Sequence, residues 1–149
     1  MAWSGLDGRA QLLGTDMKRT ALMLLLAMPG FCTAEMYGAE YEQCNKASTV
    51  GIVECVQHQA KQWDRRLNSA YKDLMARSDP AQQMPLKAAQ RLWIKYRDAN
   101  CGFYAAGEGS IRQIESAECL RAMTKQRTCE LRAANQQEGG VTPECKRPL

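Results

Sequence analysis

The sequence has almost no histidine and no strand-forming pattern, and these absences exclude several classes of protein. His58 is the single histidine among 149 residues, and no two cysteines have the C-x-x-C spacing of structural zinc sites. No alternating run of β-branched residues is long enough to predict a β-strand. The chain is therefore predicted to be all-α and to bind no metal ion or other cofactor.

Patterns typical of enzymes and of nucleic-acid-binding proteins are also missing. The charged residues are spread along the chain, with a net charge of +4, and form no concentrated basic face. His58 has no patterned nucleophile beside it, and the acidic residues are scattered over predicted solvent faces, so neither a catalytic triad nor a glycosidase carboxylate pair is indicated. We predict a protein that is not an enzyme and does not bind nucleic acid, with no catalytic residue.

A secretory leader is the first feature that the chain does contain. Lys18 and Arg19 precede an apolar run of about 11 residues, and small residues follow it, which is the pattern of a signal peptide. We predict a signal peptide at 17–34 that is cleaved after Ala34, with an over-long start or leader extension at 1–16. The run is shorter than the roughly 20 residues that span a bilayer.

The chain that remains after cleavage, 35–149, is expected to be one domain in the periplasm or outside the cell. The bulky Phe31 before Cys32 disfavours a lipoprotein. Six cysteines remain, a number typical of disulfide bonding in an oxidising compartment: Cys44, Cys55, Cys101, Cys119, Cys129 and Cys145. Six cysteines allow 15 connectivities, and their order suggests sequential pairs, each stabilising the fold by about 3 kcal/mol in the chain-entropy model.

Apolar periodicity predicts three helices. The first runs from about Thr49 to Arg77. Asp79, Pro80 and Gln82 have the pattern of a helix start with a capping box, but Pro85 indicates that the main second helix restarts there. A third helix follows the glycines at 107 and 109 and continues, on a weaker apolar stripe whose last member is Leu131, up to Gly139 and Gly140. The predicted architecture is a small antiparallel helical bundle of about three helices, stapled by disulfides.

The stretch WIKYRDANC, residues 93–101, carries the densest chemistry of the second helix. A spacing of three and four residues predicts that one stripe faces the bundle: Leu86, Ala89, Trp93, Tyr96, Asn100 and Phe103. Arg97 would lie along this stripe, whereas Asp98 would point elsewhere, because neighbours in sequence do not face each other on a helix. Either the stretch is core organised by Arg97, or Tyr96, Arg97 and Asp98 form a recognition surface.

An ordered series of residues resembles the small exported domain family named after the lysozyme inhibitor LprI. The series is Leu67, Asn68, Tyr71, Leu86, Gln90, Trp93, Tyr96, Arg97, Asp98 and Cys101. The resemblance implies a helical, disulfide-bonded protein of the bacterial cell envelope that binds and inhibits a lysozyme-like muramidase. The alternative is a non-inhibitory module that binds another envelope protein or cell-wall fragments.

Overall fold

The structure, a computed structural model, describes residues 36–45, 48–135 and 145. Four helices make up this part of the chain, which contains no strand: α1 (Ala39–Cys44), α2 (Thr49–Arg77), α3 (Pro80–Ala105) and α4 (Ile111–Asn135). The all-α prediction is confirmed. The short α1 was not predicted, and the leader predictions for 1–16 and 17–34 lie outside the described residues. Within the described ranges, no helix combines the length and apolarity needed to cross a bilayer.

The three long helices pack with alternating directions, and α4 is common to the two most extensive contacts, with α2 and with α3. Near the start of α4, Ile114 belongs to the same buried cluster as Val56 of α2. Near its end, Leu131 packs with Leu67 of α2. These pairings make α2 and α4 parallel, whereas α3 runs antiparallel to both.

Helix α3 begins where the capping signals predict, but it does not restart at Pro85. The Asp79 side chain accepts a hydrogen bond from the Gln82 N–H, and the Gln82 side chain accepts one from the Asp79 N–H. Pro85 lies inside the continuous helix. Our prediction of a restart was wrong, because the capping box and the Gln83 amide, which donates to the carbonyls of Met75 and Ser78, hold the turn before the proline.

Helix α4 is buried on more than one side, which a single-stripe interpretation did not predict. Its buried residues are Ile114, Ala117, Glu118, Cys119, Arg121, Ala122, Met123, Thr124, Thr128 and Leu131. These residues surround much of the helix because α2 and α3 both pack on it. The weak amphipathic pattern of this segment therefore marks a central helix.

Three cystines join the elements in sequential order. Cys44 pairs with Cys55, Cys101 with Cys119, and Cys129 with Cys145. The first joins α1 to α2, the second joins α3 to α4, and the third joins α4 to the segment that follows it. The pairing is the one that the order of the cysteines suggests.

Candidate functional site

The residues of the family-like series come together where α3 packs beside α2 and α4. Leu67 is buried, and the half-buried Tyr71 and Trp93 pack on the same apolar cluster. Gln90 is also buried, and its side-chain oxygen accepts a hydrogen bond of 3.1 Å from Nε of Arg127 in α4. Most of the series therefore faces other helices.

Arg97 is the polar centre of this region. Its guanidinium lies over the Trp93 ring, 5.1 Å from the ring centroid. Nε and Nη2 donate to one Asp98 oxygen at 2.9 and 2.8 Å, and Nη1 lies 4.0 Å from a carboxylate oxygen of Asp64 in α2. The Arg97 side chain is only 17% exposed, and its role as an organiser of the helix packing stays a prediction.

The predicted separation of Arg97 from Asp98 is wrong. Their α-carbons are 100° apart around the helix, but the arginine side chain is long enough to reach back to its neighbour. Asn68 extends the same polar cluster, because its amide donates to the backbone and side-chain oxygens of Asp64 at 2.9 and 3.1 Å. The cluster of Asp64, Asn68, Trp93, Arg97 and Asp98 is called the Arg97 cluster below.

Tyr96 and Phe103 do not face the bundle, and this part of our stripe prediction was wrong. Tyr96 is 62% exposed and Phe103 is 75% exposed, and Ala89 is also exposed. The face of α3 that packs inward carries Leu86, Gln90, Trp93, Arg97, Cys101 and Tyr104. The three-and-four spacing was correct, and Leu86 and Trp93 do face inward. The other predicted positions, Ala89, Tyr96 and Phe103, belong to the outer face, where large apolar residues also recur.

A buried ion pair lies in the core between α1 and α4, and the sequence analysis missed it. Glu118 and Arg121 are 0% and 1% exposed. Arg121 donates from Nε and Nη2 to the two Glu118 oxygens at 2.8 and 2.7 Å, and Nη1 donates to Glu40 of α1. Burial by itself would lower the pKa of Arg121, but the two carboxylates more than offset this and raise it.

Glu40 connects this ion pair to an aromatic side chain of α2. Its carboxylate accepts a hydrogen bond of 2.9 Å from Trp63 Nε1 and lies 3.5 Å from the Lys125 ammonium. The Tyr37 N–H donates to Glu118 at 2.8 Å from a left-handed backbone conformation, with φ 61°. The i,i+3 spacing of Glu118 and Arg121 was the one signal of this pair in the sequence. Surface ion pairs have the same spacing, so it could not show that the pair is buried.

The titratable side chains of this region are engaged with each other or exposed. Glu118, the carboxylate of the buried pair, has both oxygens engaged by Arg121. His58 is exposed and its Nδ1 lies 3.3 Å from the Gln62 amide. Among the described residues, no group of three or more His, Cys, Asp or Glu side chains is placed to hold a metal ion.

Comparison with known proteins identifies the family. The family model described as "Lysozyme inhibitor LprI" matches residues 41–131. The chain belongs to the LprI family. The match begins in α1 and ends in α4, so it includes the Arg97 cluster, the buried ion pair and the first two cystines.

One curated relative has a similar extent. An uncharacterized protein of Rhizobium meliloti (strain 1021) is 33% identical over 130 residues, which cover 75% of this chain and 90% of that protein. No solved structure gives a significant match. Membership of the LprI family therefore rests on sequence, and the helical fold described above accounts for most of the family-like series.

Proposed function

We propose that the mature chain is an exported protein of the bacterial cell envelope that binds and inhibits a lysozyme-like muramidase. The observation that carries this proposal is the LprI family match, which covers α2, α3 and nearly all of α4. Export is supported by the leader pattern at 17–34 and by the three cystines, which form and persist in oxidising compartments.

The fold suits a rigid protein inhibitor. Cystines tie α1 to α2 and α3 to α4, and the buried Glu118–Arg121 pair joins α4 to α1 through Glu40. A scaffold that is already ordered loses little conformational freedom when it binds, and affinity is higher for that reason. The inhibitor would act by covering the substrate cleft without chemistry of its own.

Net charge does not drive this recognition. The chain after Ala34 has 17 Lys and Arg residues against 14 Asp and Glu residues, a net charge of +3. A basic muramidase would not attract it by opposite net charge, so local contacts within the interface carry the affinity. We therefore expect the association rate to stay constant or to rise as ionic strength increases, whereas electrostatically steered complexes associate more slowly.

Inhibition of cell-wall lysis tests the proposal. The full chain is exported with its own leader, purified in oxidised form, and mixed in large molar excess with chicken-type, goose-type and phage-type lysozymes. Release of dye from labelled peptidoglycan reports the rate, and the same protein reduced and alkylated is the control. At least one enzyme should be slowed by the oxidised protein only. Full rates for all three would contradict inhibition.

A non-inhibitory envelope module is the second candidate, and the inward orientation of the family-like series favours it. Leu67, Gln90 and Trp93 hold helices together, so the series records a fold more directly than a target. Capture of envelope proteins and cell-wall fragments on the immobilised chain separates the candidates. Recovery of a muramidase alone would contradict the second candidate.

N-terminal sequencing of the exported protein tests the predicted cleavage after Ala34.

A further inference from the structure

A groove lies on α4 between the N-terminal part of α2 and the last turn of α3. Its volume is about 460 Å³, within the range of roughly 300–1,000 Å³ that is typical of small-ligand sites. Val53 of α2 and Ala105 of α3 line it, and α4 contributes the apolar Ala117 and Leu120. We call this cavity the α4 groove. Its size suits a short segment of a ligand rather than a folded domain.

The sides of the α4 groove are already ordered by the core and by a cystine. Val53 packs against the buried cluster formed by α1, α2 and the start of α4, and Leu120 packs against the cluster around the Cys101–Cys119 cystine. The Ser116 hydroxyl, which also lines the groove, donates to the Cys101 carbonyl at 3.3 Å. A ligand can therefore bind without first ordering these residues, which favours affinity.

Three polar side chains line the α4 groove without a partner of their own. Gln57, Arg112 and Gln113 are exposed, and no described residue forms a hydrogen bond or an ion pair with their side chains. Among the described residues that line the groove, Arg112 is the one that carries a charge. The groove therefore favours an anionic group, and a carboxylate can accept two parallel hydrogen bonds from a guanidinium.

The carboxyl end of a short peptide has the groups that this lining can recognise. Its carboxylate matches Arg112, and its backbone N–H and C=O groups match the carboxamides of Gln57 and Gln113, which both donate and accept hydrogen bonds. Small apolar side chains, such as the methyl group of alanine, suit the surface of Ala117 and Leu120. A simple inorganic anion would use Arg112 and leave the rest of the groove empty.

We propose that the α4 groove binds the carboxyl end of a cell-wall peptide whose last residues are alanines. The cell-wall source follows from the export proposed above, since stem peptides of the bacterial wall end in D-alanine with a free carboxylate. The inference rests on the second candidate function, binding of cell-wall fragments, and it names the part of the fragment that is recognised. It requires no inhibition of a muramidase.

Titration of the isotope-labelled, oxidised mature protein with N-acetyl-D-alanyl-D-alanine, followed by NMR, tests the proposal. The backbone amide signals of Gln113 and Leu120 should shift as peptide is added. The C-terminal amide of the same peptide should bind at least about tenfold more weakly, because it lacks the charge that Arg112 recognises. Equal affinity for the acid and the amide would overturn the proposal, as would the absence of shifts at these residues. Tighter binding of the L,L peptide would also overturn it, because the groove would then suit protein C-termini.

Two pairs of variants test the groove itself. Arg112→Gln should weaken binding of the acid at least about tenfold and leave binding of the amide unchanged. Arg65→Gln is the matched control, since Arg65 is exposed on α2 and does not line the groove. Ala105→Trp should fill the groove and abolish binding of both peptides, whereas Ala99→Trp, at another exposed alanine of α3, should not. Thermal unfolding of every variant controls for folding, and unchanged affinity in the folded Arg112→Gln variant would overturn the proposal.

Capture of purified cell-wall fragments separates a failure of this inference from a failure of the second candidate function. The immobilised wild type should retain the fragments, and immobilised Ala105→Trp should not. Equal capture by both would overturn the role of the groove and leave the second candidate standing. Capture by neither would contradict both.

Discussion

Arg97 lies over the Trp93 ring and beside the Asp98 carboxylate of its own helix, and it lies 4.0 Å from the Asp64 carboxylate of α2, so its removal takes two contacts from α3 and one from the α2–α3 boundary. We expect Arg97→Ala to lower the free energy of unfolding by about 1–3 kcal/mol. Arg97→Lys should recover only part of the lost free energy, because lysine lacks the planar guanidinium of arginine. Urea denaturation measures both. The exposed Lys95→Ala is the control, and equal stability of Arg97→Ala and this control would contradict the organising role.

Substitutions in the buried Glu118–Arg121 pair should lower stability more than those of Arg97. Arg121→Met leaves the Glu118 carboxylate buried without its ion partner, and we expect a loss of about 3–5 kcal/mol in unfolding free energy. Replacing both, as in Glu118→Leu with Arg121→Met, should cost less than the sum of the single changes. Lys125→Met is the control, because Lys125 also contacts Glu40 but is 21% exposed. Additive losses in chemical denaturation would show that the two side chains are not coupled.

The raised pKa of Tyr41 should make the fold less stable at high pH. Burial, with a further contribution from Glu118, raises its pKa above the usual value of 10.0. The folded chain therefore keeps a proton that the unfolded chain releases, so this stabilisation is complete below about pH 10 and is lost as pH rises through the folded pKa. Urea midpoints between about pH 8 and 11 should fall less steeply in Tyr41→Phe than in the wild type. Equal slopes would contradict the assignment.

At the scale of the helix, the two prolines of α3 have opposite consequences. Pro80 occupies the first turn, where a missing N–H costs nothing, whereas Pro85 lies inside the helix and removes a bond to the Ala81 carbonyl. Pro85→Ala should raise the free energy of unfolding by about 1–2 kcal/mol, since the gain in the helix exceeds the added freedom of the unfolded chain. Pro80→Ala is the matched control and should leave stability unchanged or slightly lower. A loss in Pro85→Ala, measured by urea denaturation, would contradict this.

Helix boundaries followed closely from local chemistry, because caps and turn residues act within a few positions of the sequence. The capping signal of Asp79, directly before α3 begins at Pro80, is one case, although the restart that we predicted at Pro85 was wrong. The end of α2 before Ser78 is another. The orientation of α3 did not follow, since Tyr96 and Trp93 are both aromatic and only packing against α2 and α4 decides which of them faces inward. The same limit applies to Glu118, whose burial depends on the distant Tyr37 and Glu40.

The Arg97 cluster was partly predictable for the same reason. The residues that form it on α3 belong to the family-like series. The organising role of Arg97 was one of the two hypotheses for this stretch, the other being a recognition surface. Asp64 and the contact with Asp98 could not be predicted, because the first comes from another helix and the second depends on how a flexible arginine side chain folds back. Sequence therefore indicated the components of the cluster better than their contacts.

At the scale of the whole molecule, the cystines should differ in their contribution to stability. The loops closed by Cys101–Cys119 and Cys129–Cys145 have similar sequence separations, 18 and 16, so the chain-entropy terms are alike. Cys101 and Cys119 are also buried, at 2% and 1% exposure. Replacing this pair by alanine should cost about 1–2 kcal/mol more than replacing the other pair. Denaturation under oxidising conditions measures the difference, and equal losses would contradict it.

The Cys101–Cys119 cystine also decides how the molecule opens locally. It fastens the C-terminal end of α3 to α4, while the opposite end of α3 starts in a two-residue turn and contains Pro85. Local unfolding begins where few buried contacts oppose it, so amide hydrogens of α3 should exchange fastest near Pro80 and progressively more slowly toward Cys101. Helix α3 is therefore held most firmly at its cystine. The rest of the helix is held by apolar packing of Leu86 and Trp93, by the Gln90–Arg127 hydrogen bond and by the Arg97–Asp64 pair.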